Sequence, residues 1–517
     1  MEVYYNPPYT NGGIEKSTAN LIGYEKTNEL KPGESQTVTI SFTAEDMASY
    51  DYLENGCYVL EAGDYEISIN SDSHNVIDSV TYTVDEDIVY DEANPRSTDL
   101  TAAVNQFGYA DGHLTYLSRK DGFKNYDETT AAPASTSMPE DLKEGFIVTS
   151  NYEMPEIPDA EMPVTGADNG MKLTELRGAD YDDERWETLL DQLTIDEMQN
   201  MIAHAGFQTA EAKSVEKVAT VDCDGPSAVS NNFTGAGSVG FPSNVMIACT
   251  WNKDLAHTYG YDMGKMATEL GCSGWYAPSM NMHRSAFGGR NFEYYSEDSL
   301  LSAEMAKGEV EGAVESGMYP FIKHFALNEQ EINRNAFLTT WTTEQAMREI
   351  YLKPFEEAVK SYPDGKIAVM TSYNFIGTEW AGSCAPLLKD VLRGEWGFKG
   401  MVISDYFGNY GYMDADRAVR GGTDMMLGTA GNEAIMTDLS ATSVIAMRNA
   451  VKNILYTTVN SSAYENYVPG TIPGWLQTIY VVDAVLAILW VLAEIAVILL
   501  YRRDKKKVPV ITIEDKE

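Results

Sequence analysis

Positive charge is what this sequence has least of. Lysine and arginine total 37 against 78 aspartate and glutamate, a formal net charge of −41. A surface of that sign repels phosphate backbones, so nucleic acid is not expected as a partner. Histidine is scarce, at 6 residues, and no HExxH pair occurs. The 5 cysteines (Cys57, Cys223, Cys249, Cys272, Cys384) are odd in number and far apart, without the close pairs that hold zinc. No disulfide scaffold, metal or cofactor is therefore expected. The opening MEVYYNPPYT has neither the basic start nor the apolar run of a signal peptide. At 44% hydrophobic and 11% aromatic, with 41 glycines, the chain is not a disordered acidic protein. Its 517 residues suffice for two or three domains with sizeable cores.

Residues 479–500 (IYVVDAVLAILWVLAEIAVILL) form a run of 22 interrupted only by Asp483 and Glu494. At ~1.5 Å rise per residue it spans a ~30 Å hydrocarbon core. Trp475 and Tyr501 flank it, and Arg502, Arg503, Lys505, Lys506 and Lys507 follow. The positive-inside rule makes 475–501 a single membrane span, 502–517 a cytoplasmic tail, and everything before it extracellular at the cell surface. An outward-facing body without a leader predicts that the natural chain begins upstream, with a further sandwich domain there.

Residues 1–90 alternate apolar and polar positions in ESQTVTISF (34–42), DYEISINS (64–71) and TYTV (81–84), separated by Gly, Pro and Asn turns. That is the signature of a β-sandwich, one whose first residues already look like a strand interior. Residues 91–171 hold AAPASTS and EMPEIPDAEMPVTG and read as an extended linker. From 172 to 460 strands alternate with helices, as in KGMVISDY before DADRAVRGG. The fold expected is a TIM-type (β/α)8-like barrel. Within it SNVMIACT (243–250) reads as a strand, and Ser296 as the start of the helix that Gly317 closes.

In such a barrel the active site lies at the C-terminal strand ends. Apolar runs end there in Asp222 and Asp224, Asn281 and His283, Lys323 and His324, Tyr373 and Asn374, Asp405, and Asp424. Carboxylates, Lys, His and Tyr without a metal set or phosphate loop suit a neutral sugar, held by charged hydrogen bonds and by aromatic faces such as Trp251, Trp275 and Tyr276. Glycoside hydrolysis needs an ionised carboxylate at the anomeric carbon and a protonated acid at the leaving oxygen. Asp405, directly after the apolar MVIS, fits the first role.

The stretches DGPS (224–227), GGRNFEYYSED (288–298), FIKHFALNEQEINR (321–334), REIYLKPFEEAV (348–359), VMTSYN (369–374), LLKDVLRGEWGFKGMVISDY (387–406) and GGTDMML (421–427) resemble, in order and wording, glycoside hydrolase family 3 of the β-glucosidase type. VYYNPPYTNGGIEKS, LKPGESQTV and GDYEISI resemble its fibronectin-III-like domain, here placed first as in the domain-permuted branch. The resemblance implies a retaining β-glycosidase acting on a glycoside or oligosaccharide. Asp405 would be its nucleophile, and Asp224, Arg290, Lys323, His324 and Tyr373 would line the terminal-sugar subsite. The alternatives are a β-xylosidase or related exo-glycosidase and a non-catalytic, membrane-tethered glycan-binding protein. Two departures stand out. Ser230 replaces the arginine many members carry six residues after the DGPS aspartate. The loop ALNEQEINRNAF has no histidine, and no α/β sandwich is present to supply an acid/base glutamate. No acid/base is named; Glu293 and Glu329 are the carboxylates considered.

Overall fold

The computed structural model describes all residues except 133, 136, 156, 158, 430–433, 466–473 and 506–517, and the side chains of 474–476. The expected flanking residues Trp475, Lys506 and Lys507, and most of the 502–517 tail, lie outside the described residues. The chain divides into two compact units, Met1–Glu465 and Asn466–Glu517.

The first unit opens with a sandwich of two antiparallel sheets. Glu2–Asn6, Asn20–Tyr24, Gly63–Asp72 and Asn75–Val84 build one, and Ser49–Asp51, Cys57–Leu60 and Ile88–Tyr90 the other. Val3 pairs with Ile69 and Tyr5 with Ile67. Period-two alternation puts Tyr65 and Ile67 inward and Asp64 and Glu66 outward. Their side chains join Val3, Ile22, Tyr50, Tyr58 and Leu60 in one core. ESQTVTISF forms no strand, although Ile40 and Phe42 still pack on that core. Alternation there marks a half-buried face without a ladder partner.

The second region holds a six-stranded sheet ordered Val402–Ile403, Ala368–Thr371, Tyr319–Phe325, Gly274–Trp275, Thr220–Cys223, Gln208–Thr209. Neighbours are parallel except the last pair, which is antiparallel. Sequence led to an expectation of an eight-stranded barrel, and six strands form this sheet among the described residues. At one end Met425 bridges Ile403 in parallel. The same segment reaches the start of the region: Met426 N donates to Ile202 O at 2.8 Å and Gly206 N to Gly428 O at 3.0 Å. Only glycine permits that approach, because a Cβ on Gly206 would sit 2.4 Å from Gly428 O.

Helices cover the outside. Thr194 caps Ile195–Ala203 with a capping box, Asn252 caps Lys253–Glu269, and Asp414 caps Ala415–Gly421. The helix Ser299–Glu315 begins at Asp298, whose side chain accepts from Leu301 N; Ser296 instead braces the Asp298 amide. SNVMIACT is helical over Asn244–Ala248 rather than a strand. A short apolar run does not distinguish the two.

The connector is not simply extended. Ala102, Ala103, Phe107 and Ala110 are buried. The Glu344 carboxylate takes the amides of Gln106 and Phe107, and Arg348 donates to Val104 O while paired with Glu395. A buried Arg–carboxylate pair that also satisfies backbone groups ties this stretch to the sheet region.

In the second unit Gly474–Lys505 is one helix. Its portion Gln477–Lys505 is long and apolar enough to cross a membrane.

Candidate active site

Asp224, Lys323, His324, Tyr373 and Asp405 each end or follow a buried strand of the sheet, so the ladder sets their spacing. Asp224 turns sharply into Gly225 (φ +98), where a Cβ would lie 1.9 Å from Ala228 O. Asn281 fixes the next strand: its side chain donates to His324 O at 3.0 Å and accepts from His324 N at 2.9 Å. The Lys323–His324 peptide, which supplies that N–H, is cis.

The polar groups form an ion pair and, beside it, a linked chain. Lys323 Nζ donates to Asp224 Oδ1 at 2.9 Å. Arg290 clamps Glu293 through Nε at 2.5 Å and Nη2 at 2.9 Å, and its Nη1 meets His324 Nε2 at 3.0 Å. His324 Nε2 lies 3.9 Å from Asp405 Oδ2. That oxygen accepts from Arg334 Nη1 at 3.1 Å, while Asp405 Oδ1 accepts from the Tyr406 amide at 2.7 Å. The Arg334 guanidinium sits 4.7 Å over the Tyr373 ring. The six residues expected to form the subsite are therefore brought together, joined by the strand-end Asn281 and by Arg334, which sequence did not single out.

Electrostatics follow from this pairing. Burial acts to raise the Glu293 carboxyl, and Arg290, Lys323 and Ser279 overcome it and hold the group below the ordinary range. Asp224 is held low likewise, by Lys323 above all. His324 is kept neutral by burial and then by the charges of Arg290, Lys323 and Arg334. A guanidinium has no acceptor, so His324 Nε2 accepts and Nδ1 carries the proton. That Nδ1 is buried with no partner among the described residues.

The carboxylates around Asp405 are all engaged. Glu293 is on Arg290 and Ser279, Asp224 on Lys323, and Glu331 on Arg334 at 3.1 Å. Glu329 is different: burial pushes it up to about 7, and it accepts from Met282 N at 3.2 Å. Several other strand-end residues serve the scaffold. Asp424 binds Arg393 and Asn453, His283 faces Asn291 O, and Asn374 reaches Ala326 O. Ser230 offers its backbone to Asp224, with its side chain exposed. The aromatic faces expected for a sugar are otherwise occupied. Trp275 is buried and bonds Gly225 O, Tyr276 is buried against Phe207, and Trp251 packs edge-on against Tyr24 of the sandwich.

Comparison with known proteins identifies the family. Residues 193–455 match the model of the glycosyl hydrolase family 3 N-terminal domain. The chain belongs to glycosyl hydrolase family 3. Residues 1–73 match a fibronectin type III-like domain, which thus precedes the family 3 domain. The chain is similar to beta-glucosidase A of Butyrivibrio fibrisolvens, 30% identical over 84% of this chain and 52% of that one. A beta-glucosidase of Ruminococcus albus is 31% identical over 79% of this chain and 42% of its own length. Among solved structures, a beta-glucosidase from Paenibacillus barengoltzii superposes with a TM-score of 0.71 at 25% identity, covering 92% of this chain and 52% of that one. The chain thus spans about half the length of the relatives it matches.

Arg334 was missed in the sequence because it sits inside a loop, not at a strand end. The signal was there: Glu331 and Arg334, an acid and a base three apart, lie in the loop that leaves the KHF strand.

Proposed function

We propose that this chain carries the sugar-binding and nucleophile half of a retaining β-glucosidase. The observation that carries the reading is Asp405, held at a strand end by Arg334 and beside neutral His324. In this reading the Asp405 carboxylate attacks the anomeric carbon from below as the glycosidic bond breaks, giving a covalent glycosyl-enzyme that water then opens. Lys323, Arg290 and Arg334 donate to the sugar's hydroxyls, and Asp224 accepts from them. We take the sheet, whose ends meet at 202–206 and 426–428, to be a closed barrel of the family type, and the sandwich, connector and barrel to be separate domains near 1–90, 91–171 and 172–460.

The test follows the first sugar product of 4-nitrophenyl β-glucoside by NMR. The β-anomer should appear first, and Asp405→Asn should lower turnover at least about a thousandfold. A first product of α configuration, or undiminished turnover in Asp405→Asn, would refute the role.

The 477–505 helix, with Arg502, Arg503 and Lys505 at its end, supports a single-pass anchor that leaves the first unit outside the cell membrane. Detergent phase separation should carry the full chain into the detergent phase, and recovery in the aqueous phase would oppose this.

A further inference from the structure

The cations at the candidate site are unevenly shared. Asp224 has Lys323, Glu293 has Arg290, and Glu331 has Arg334. Asp405 has no cation of its own among the described residues. It shares Arg334 with Glu331, and its other near neighbour, His324, is neutral.

No strand or helix holds Arg334, which lies in the loop after Tyr319–Phe325. A guanidinium left free beside a carboxylate closes on it with two parallel N–H···O bonds. Here only Nη1 donates to Asp405, to Oδ2 at 3.1 Å. Nε is drawn the other way and stands 3.1 Å from Glu331 Oε2. The Arg334 amide also donates to Glu331 O at 3.2 Å, so one turn carries both side chains. The Tyr373 ring, 4.7 Å from the guanidinium, backs it on one face.

Glu331 is anchored in turn. Its Oε1 accepts from Asn328 Nδ2 at 2.9 Å, and the same nitrogen donates to the Tyr294 hydroxyl at 3.0 Å. Asn328 and Tyr294 are both buried. Glu331 Oε1 also lies 3.9 Å from Arg290 Nη1, the group that meets His324. Glu331 therefore stands between the two arginines of the pocket on a buried polar support.

We infer that Glu331 is a positioning residue for the nucleophile: it holds Arg334 so that one N–H, not two, rests on Asp405. The inference rests on reading Asp405 as the nucleophile. An attacking carboxylate gives an oxygen lone pair to the anomeric carbon and loses its charge as the C–O bond forms. A hydrogen bond to that carboxylate weakens along the way, so it stabilises the ground state more than the transition state. Without the Glu331 charge, Arg334 closes on Asp405 as a bidentate partner, and the carboxylate attacks more slowly. Glu331 acts through Arg334 and needs no contact with the sugar.

Attack by Asp405 is read directly as dinitrophenolate release when the full chain is labelled with 2,4-dinitrophenyl 2-deoxy-2-fluoro-β-glucoside. Glu331→Gln keeps the shape and the Oε1 acceptor for Asn328 and removes the charge. It should lower the saturating labelling rate about 10- to 100-fold, while the half-saturating concentration and the calorimetric affinity for methyl β-glucoside stay within about threefold. In an Arg334→Gln background the same substitution should change the labelling rate less than about twofold, because no arginine is left to restrain. A Glu331→Gln chain labelled at the wild-type rate, or losses that multiply in the double variant, would overturn the inference and leave the nucleophile assignment standing. A Glu331→Gln chain that no longer binds methyl glucoside would overturn it too, showing that Glu331 supports the fold of the pocket. A wild type that takes no label would overturn it together with the reading of Asp405.

Discussion

Asp222 and Asp224 stand two positions apart at one strand end, yet they belong to different regions of the molecule. Asp222 points into the sheet's interior, fully buried, with the Tyr319 hydroxyl at 2.6 Å and one oxygen without a hydrogen-bond partner among the described residues. Burial pushes it up to about 7. Its neighbour Lys217 is pushed down to about 7 by the same burial, its Nζ spent on Thr209 Oγ1 and the carbonyls of Ala210 and Val218. Asp224 stands at the mouth, its side chain 46% exposed and paired directly with Lys323. Withdrawal from water acts to raise it, and Lys323, the Gly225 amide and Arg290 pull it below the usual range. The interior therefore favours the neutral carboxyl and the mouth the charged carboxylate. A hydroxyl-rich neutral ligand needs the second kind of environment.

The comparison breaks most visibly at Lys323. Lys323→Met keeps the stem but leaves Asp224 without its cation, and methyl β-glucoside affinity should fall roughly 10- to 100-fold by calorimetry. An unchanged affinity would mean that the charged mouth is not the ligand site.

Asp222→Asn sharpens the same contrast from the other side. It should leave methyl glucoside affinity within about twofold, because Asp222 does not reach the mouth. Its effect belongs to stability. The carboxyl's folded value, about 7, stands above its ordinary 3.8, so its contribution is fully present below pH ~4 and is lost as pH rises through ~7. Thermal melts across that window should show the variant losing roughly 2–4 kcal/mol less than wild type. Parallel pH profiles for the two proteins would count against a protonated Asp222.

Much of this was legible from the sequence for one physical reason. A strand buried on both faces writes a continuous apolar run, and its first polar residue marks the mouth. Lys323, His324, Tyr373 and Asp405 were found that way. Arg334 was not, because a loop cation has no such frame. Nor was the role of Asn281, since a side chain that holds both backbone groups of His324 looks in sequence like any strand-end amide. The connector misled for a related reason: Ala102, Ala103, Phe107 and Ala110 are buried without any regular spacing. The aromatic residues chosen by proximity, Trp275 and Tyr276, proved to be core, while the open rings Tyr410 and Phe337 lie in loops.

The most direct test of the account traps the glycosyl-enzyme. The full chain is incubated with 2,4-dinitrophenyl 2-deoxy-2-fluoro-β-glucoside, whose leaving group needs little acid assistance, then digested and mapped by mass spectrometry. The account predicts one added fluoroglucosyl group on the peptide containing Asp405, and none in Asp405→Asn. A label on Glu293, Glu331 or any other residue, or an unlabelled wild type, would contradict it.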